Sequence, residues 1–269
     1  MTNFLQSMAS ASRVRAEAIT RSFSDDDLDM PAFPLCLRGF DLIAEIKNQS
    51  PAEGNLVNRG VRRSDRARMY VDGGAAAISV LTEPERFDGD LSHLAEVVNE
   101  VSADEIPVMR KDFLVHTKQV LEAKAAGASG VLLIAGILDI EQAKALLGCA
   151  FEHDLFVLLE SFDEQDLELT AQLLAQNDYQ EKATRNKLLV GVNTRDLRSL
   201  QVDPLRLKRL GHLLPLETTA VAESGLQTAG DVADAVGWGY RMALVGTALM
   251  RAADPAALIA RMLAAGRST

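Results

Sequence analysis

Eight short apolar runs, rich in β-branched residues, alternate with eight helical patterns between Asp41 and Ala265. The runs are Asp41–Lys47, Ala75–Thr82, Ile106–Lys111, Ser129–Gly136, Leu155–Glu160, Lys187–Asn193, Thr218–Glu223 and Arg241–Val245. Continuous apolarity at strand length is the mark of parallel strands covered on both faces. The stretch Ile106–Gly136 shows the unit most plainly. A strand runs to Lys111, a helix from His116 closes at Gly127, and a second strand follows, which is a parallel βαβ. Eight such units over about 225 residues define an α/β chain that closes as a (β/α)8 TIM barrel. A doubly wound open sheet is the competing architecture. It usually carries a glycine-rich fingerprint in its first turn, where this chain reads Asn48-Gln49-Ser50-Pro51.

The other helical patterns are Arg62–Gly73, Leu91–Glu100, Asp139–His153, Asp163–Gln176, a helix started by Asp203-Pro204, Thr228–Val236 and Pro255–Ala265. Residues 1–40 form an N-terminal helical extension, and 41–269 the barrel as a single domain. Within the extension, Phe4–Phe23 has the spacing of an amphipathic helix, Ser24–Leu28 is acidic and turn-like, and Pro31 and Pro34 break regular structure. Asn48–Asn55 reads as a loop, as does the stretch through Pro84, Phe87 and Gly89. The polar stretch Asn177–Asn186 reads as an exposed insertion, and Ala248–Arg251 as a single turn.

Composition narrows the partners. The net charge is 28 − 38 = −10, which argues against nucleic acid or a membrane surface. An anionic ligand must then be held by local features. Cys36 and Cys149 are far apart, without CxxC or zinc spacing, the pattern of reduced thiols in a cytoplasmic protein. The N-terminus lacks a signal pattern, and no long apolar run occurs.

In a barrel of this kind ligands gather at the C-terminal strand ends. Six of the eight ends carry polar or phosphate-compatible residues: Glu45 and Lys47, Lys111, Glu160, Asn193 with Arg195 beyond it, Glu223 with Ser224 and Gly225, and Gly246 with Thr247. Thr82 and Ala135-Gly136 end the other two and suggest an apolar wall. Singly, each polar residue reads as a solvated loop side chain, an ion pair or a turn former. Together they concentrate at one end, which solvated residues have no reason to do. Ser224-Gly225 and Gly246-Thr247 close adjacent strands, with a short helical turn after Thr247, the recurrent barrel phosphate site.

None of His93, His116, His153 and His212 lies at a strand end, and no metal or cofactor signature is present. Lysine and glutamate are therefore the expected proton carriers. Clustering should lower the amines and burial should raise the carboxylates toward working pH. At this level a phosphosugar isomerase, an aldolase using Lys111 as a Schiff base, and a non-catalytic scaffold all stay open.

The chain resembles the indole-3-glycerol phosphate synthase family. The resemblance rests on Leu-Ile-Ala-Glu-Ile-Lys with Ser50-Pro51, Ser-Val-Leu-Thr with Phe87 and Gly89, Val-Met-Arg-Lys-Asp-Phe, Val-Leu-Leu-Ile-Ala, Gly-Val-Asn-Thr-Arg-Asp-Leu, Val-Ala-Glu-Ser-Gly, and Leu-Val-Gly-Thr-Ala-Leu-Met with Asp254-Pro255. These pieces span the first strand to the last helix. The resemblance implies a cofactor-free barrel acting on a small phosphorylated substrate in tryptophan biosynthesis, with other enzymes of that pathway as candidate protein partners. It implies Lys111 as general acid, Glu160 as the acid/base of dehydration, and Lys47 and Glu45 as a positioning and proton-transfer pair. Asn193, Glu223 and Ser224 would hold polar groups of the substrate. Ser50 and Arg195 would support them, and Phe113 and Leu132 would face an aromatic ring. The chain departs from the family pattern in the loop after the first strand, at Ser161-Phe162, at Thr194, and in its longer segment from Glu160 to Asn193.

Overall fold

The computed structural model describes residues 3–56 and 60–268. Eight parallel strands among these residues close a barrel. They are β1 Asp41–Ile46, β2 Ala77–Leu81, β3 Val108–Lys111, β4 Gly130–Ile134, β5 Phe156–Ser161, β6 Leu188–Asn193, β7 Thr219–Glu223 and β8 Met242–Val245. Each strand pairs with its chain neighbours, and β8 closes on β1 with Asp41 opposite Met242. The helices of the first half are α1 Phe4–Glu17, α2 Asp25–Leu28, α3 Arg63–Asp72, α4 Pro84–Phe87, α5 Leu91–Val101 and α6 Thr117–Ala125. Those of the second half are α7 Ile140–Glu152, α8 Glu164–Leu174, α9 Asn177–Thr184, α10 Arg206–Leu210, α11 Ala229–Gly237, α12 Thr247–Arg251 and α13 Pro255–Arg267.

The period of two along each strand sorts the core into two layers. Leu42, Ala44 and Ile46 of β1, Val131 and Leu133 of β4, and Val157 and Leu159 of β5 pack outward under the helices. Ile43, Met109, Leu132, Leu158, Val221 and Leu244 fill the barrel interior. Glu45, Lys111, Glu160, Asn193 and Glu223 share the inward parity, so strand geometry alone aims them into the barrel. Leu81 lies opposite Lys111, Ile134 opposite Glu160, and Asn193 opposite Glu223.

The extension packs against the barrel at both ends. Leu5 and Met8 of α1 join the interior cluster beside Phe113 and Phe162, and Leu35 and Leu37 pack against the same cluster. Polar bonds fix α1 near the end of β3. Arg15 pairs with Asp112 at 2.7 Å and Glu83 at 3.4 Å, and the Ser12 hydroxyl donates to the Phe113 carbonyl. Leu5 is 1% exposed. Truncating such a side chain removes transfer energy and leaves a cavity, so Leu5→Ala should cost about 2–5 kcal/mol. Urea denaturation measures this, and an unmoved midpoint would show that α1 contributes nothing to the folded barrel.

Local structure differs from the sequence pattern in several places. α1 stops at Glu17, because β-branched Ile19 and Thr20 follow its cap at Ala18. The acidic run after it forms a helical turn, α2, through a capping box of Ser24 and Asp27. The stretch at Pro84 is also helical. Glu83 accepts from the backbone N–H groups of Glu85, Arg86 and Phe87, with Pro84 in the first turn. Residues 177–184 are the helix α9, with Ala183 buried and Tyr179 against Phe151 at 6.4 Å. Regular helix after Asp203 waits until Arg206, since the Asp203 carboxylate draws the Leu205 N–H into a turn. The loop after β1 holds a small hairpin pairing Gln49 with Asn55.

Candidate active site

A cavity of about 490 Å³ opens at the C-terminal ends of the strands. Of the residues expected to act on or hold a ligand, all but Glu160 line it: Glu45, Lys47, Ser50, Lys111, Phe113, Leu132, Asn193, Arg195, Glu223, Ser224, Gly225, Gly246 and Thr247. Glu160 lies behind Lys111 and is fully buried.

β1 delivers Glu45 and, just past its end, Lys47, whose Nζ lies 2.7 Å from Glu45 Oε1. Gly246 makes room for this pair. A Cβ at Gly246 would sit 2.2 Å from Glu45 Oε1 and 3.0 Å from Lys47 Nζ. Gly246→Ala should therefore push Glu45 and Lys47 aside. A displacement near 1 Å costs about 10²-fold in kcat/KM, which steady-state kinetics on the proposed substrate reads directly. Unaltered kinetics would mean that the pair adjusts without consequence.

β3 delivers Lys111. Its ammonium donates to Glu160 Oε2 at 3.2 Å and lies 3.6 Å from Glu223 Oε2. Burial alone would lower the Lys111 pKa, but Glu160, Glu223 and Glu45 outweigh it and hold the group above the usual lysine value. This reverses the expectation that clustered amines depress each other. The amines are interleaved with carboxylates, so Lys111 feels more negative than positive charge. Glu223 moves upward as well, through burial first and the charge of Glu160 second, with Lys111 opposing. Gly191 gives Glu223 its place, since a Cβ there would lie 2.1 Å from Glu223 Oε1.

Asn193 Oδ1 accepts from the Arg195 N–H at 2.9 Å, which turns the chain after β6 and orients the carboxamide. After β7 the chain enters the left-handed region twice, at Ser224 (φ 62) and Gly225 (φ 78). A non-glycine residue held there is uncommon and tends to mark a functional turn. The Ser224-Gly225 turn and the Gly246-Thr247 start of α12 stand side by side on the cavity rim. The first N–H groups of a helix lack intrahelical partners and suit an anion.

Leu81, Phe87, Ile134 and Leu197 join Phe113 and Leu132 as the apolar side of the cavity. Ala135, Gly136 and Thr82, expected in that wall, do not line the cavity; Thr82 instead donates to Asp112 and accepts from Arg110, in a polar cluster of which Asp112 reaches the cavity. Glu53 and Arg251 were not legible as site residues. Glu53 spans the mouth, 2.8 Å from Arg251 and 3.6 Å from Arg195. That contact joins two loops to the last residue of α12 and leaves no local sequence signal. Both cysteines are free and lie away from the cavity. Among the described residues no His, Cys, Asp and Glu group has metal-binding form, and no helix is long and apolar enough to cross a membrane.

Fold and site together define a (β/α)8 barrel with an enclosed lysine–glutamate set beside a rim formed by the Ser224-Gly225 turn and the start of α12. The indole-3-glycerol phosphate synthase family model matches residues 11–262. The chain belongs to that family. A protein of that name from Methanopyrus kandleri is 44% identical over 242 residues, covering 86% of this chain and 85% of the relative. One from a Nocardioides species is 41% identical over 239 residues, 88% of this chain and 86% of the relative. Among solved structures, 3-hexulose-6-phosphate synthase from Salmonella typhimurium superposes with a TM-score of 0.61 at 18% identity. It covers 84% of this chain and 98% of that one. Thiamine phosphate pyrophosphorylase from Pyrococcus furiosus gives 0.56 at 14% identity, with 85% and 96% covered. At such identities the two structures speak for the barrel alone.

Proposed function

We propose that this chain converts 1-(2-carboxyphenylamino)-1-deoxyribulose 5-phosphate to indole-3-glycerol phosphate, with loss of CO2 and water, in tryptophan biosynthesis. It is an enzyme of a decarboxylating lyase family. The observation that carries the reading is the enclosed set of Lys111, Glu160, Glu223, Glu45 and Lys47 at one end of a barrel whose family match spans residues 11–262.

In this reading the Ser224-Gly225 and Gly246-Thr247 rim holds the phosphate, and the wall of Phe113, Leu132 and Phe87 faces the aromatic ring. Arg195 and Ser50 line the same mouth and support the bound substrate, while the Asn193 carboxamide takes a sugar hydroxyl. Lys111 stands over the ketone carbon. As the ring attacks, negative charge grows on the ketone oxygen, and the ammonium stabilises it and donates a proton. The raised pKa suits this step. Lys111 stays a cation until the oxygen becomes basic enough to take the proton. Glu160 then acts in dehydration, and Glu45 and Lys47 position the substrate and assist proton transfer.

The same electrostatics argue against a Schiff-base aldolase. An imine-forming lysine must first become a free amine, and three carboxylates hold Lys111 protonated. The proposed setting is the cytoplasm, with other tryptophan-pathway enzymes as protein partners. The test is direct: purified protein and the anthranilate–ribulose phosphate are mixed, and indole absorbance is followed. A flat trace, with substrate intact, overturns the reading.

A further inference from the structure

The floor of the cavity holds one more carboxylate than it has amines. Glu45 is matched by Lys47 at 2.7 Å. Among the described residues Lys111 alone serves both Glu160, at 3.2 Å, and Glu223, at 3.6 Å. Their side chains are 0% and 1% exposed. With both drawn as carboxylates, Glu160 Oε1 and both oxygens of Glu223 lack any hydrogen-bond partner among the described residues. An ionised carboxylate buried without a single hydrogen bond is strongly disfavoured. Glu160 and Glu223 meet at the one Lys111 ammonium, and hydrogen bonding between their side chains is among the causes that raise the Glu223 carboxyl. Two acceptors facing each other repel, and one proton between them turns the repulsion into a hydrogen bond.

We propose that Glu160 and Glu223 share a single proton in the resting protein, with Glu223 as the neutral acid donating to an ionised Glu160. The assignment within the pair follows from the surroundings. Glu160 has the direct hydrogen bond from Lys111 and keeps its charge. Glu223 has only the longer contact and is pressed against the β6 backbone at Gly191. The charged groups that face the pair are Glu45 and Lys47 from β1 and Lys111 from β3. The residues paired with Lys111, Glu160 and Glu223 on β2, β4, β6 and β8 are Leu81, Ile134, Gly191, Asn193 and Leu244, all uncharged. Burial and the neighbouring Glu160 charge both push the Glu223 carboxyl upward, in agreement with this arrangement.

The use of that proton rests on the proposed reaction; its presence does not. The substrate carboxylate leaves as neutral CO2, so each turnover consumes one proton. Lys111 gives a proton to the ketone oxygen as the new C–C bond forms. The bond to the carboxylate breaks, and its electron pair returns to the ring. The hydroxyl then leaves as water, taking a proton from the Glu160–Glu223 pair. The carbon beside the nitrogen loses a proton to the Lys111 amine, which restores the ammonium. Solvent reloads the pair, and the balance closes at one proton taken up.

The test is carbon-13 NMR of protein labelled at the glutamate side-chain carboxyl, recorded without substrate at neutral pH. One buried glutamate signal should have the shift of a protonated carboxyl, and Glu223→Gln should abolish it. If all glutamate carboxyls of the wild-type protein are ionised at neutral pH, the proposal fails, whatever the variant does. Because no substrate is present, the spectrum stands even if the indole assay is blank. In the active wild-type enzyme, kcat should fall on the alkaline side along the same titration as this signal. A kcat that ignores that titration would overturn the use of the proton in turnover.

Discussion

Glu160→Gln is expected to fold, to bind substrate and to lose about 10²–10⁴-fold in kcat, the usual cost of removing a positioned acid/base. The substitution keeps length and shape at a position that is fully buried. Its carboxamide oxygen can still accept from Lys111, and its N–H groups can donate to Glu223. Lys111 keeps Glu223 and Glu45 as counter-charges, so little stability should be lost. What disappears is the carboxylate that passes a proton to the departing hydroxyl. Ring closure and CO2 release should therefore continue while dehydration stalls. The measurement is a rapid-quench time course that scores CO2 and indole separately. A burst of CO2 ahead of indole, with a decarboxylated but hydrated intermediate between them, is the expected pattern. An unchanged kcat rules the dehydration role out. A large drop in melting temperature with normal turnover would instead make Glu160 a structural partner of Lys111.

The barrel and the position of its site were legible because two periods act together. Alternation along each strand places Glu45, Lys111, Glu160, Asn193 and Glu223 inward, and parallel connection brings all the C-terminal ends to one mouth. Neither inference needs a tertiary contact. The turn residues Ser224, Gly225 and Gly246 were legible for the same reason, although their uses differ in detail. Gly246 stood out in the sequence as an expected anion neighbour, and the structure shows a use the sequence did not suggest, the room taken by Glu45 and Lys47. Gly191 gave no signal, since a glycine inside an apolar strand does not announce which side chain needs its space.

What stayed hidden depends on contacts between elements distant in sequence. Glu53 meets Arg195 and Arg251 only because two loops and the end of α12 converge. Arg15 reaches Asp112 only because α1 packs beside the end of β3. The direction of the Lys111 shift could not be taken from composition, because two amines and three carboxylates give opposite results when grouped and when interleaved. α9 was hidden by its polar surface, since one buried alanine and one packed tyrosine suffice to hold it.

Lys111→Met should lose nearly all kcat, and Lys111→Arg should recover little of it. Ring closure builds negative charge on the ketone oxygen, and the residue at the end of β3 must both stabilise that charge and give it a proton. Methionine keeps much of the length and does neither. Arginine keeps the charge, but its planar, delocalised fork does not reproduce the single Nζ between Glu160 and Glu223. Loss of the ammonium also leaves two buried carboxylates without their shared cation. The Met variant should answer by taking up a further proton, visible as a second protonated glutamate carboxyl, since unpaired buried charges shift their pKa before they remain ionised. Both variants should still bind indole-3-glycerol phosphate, because the proposed phosphate rim belongs to β7 and β8 on the other side of the mouth. Calorimetric titration with that product separates binding from chemistry. Near wild-type turnover in Lys111→Arg would show that charge alone suffices and that Lys111 is not the acid. Loss of product binding in both variants would make Lys111 a binding residue and move the search for the acid to Lys47, the other amine of the cavity.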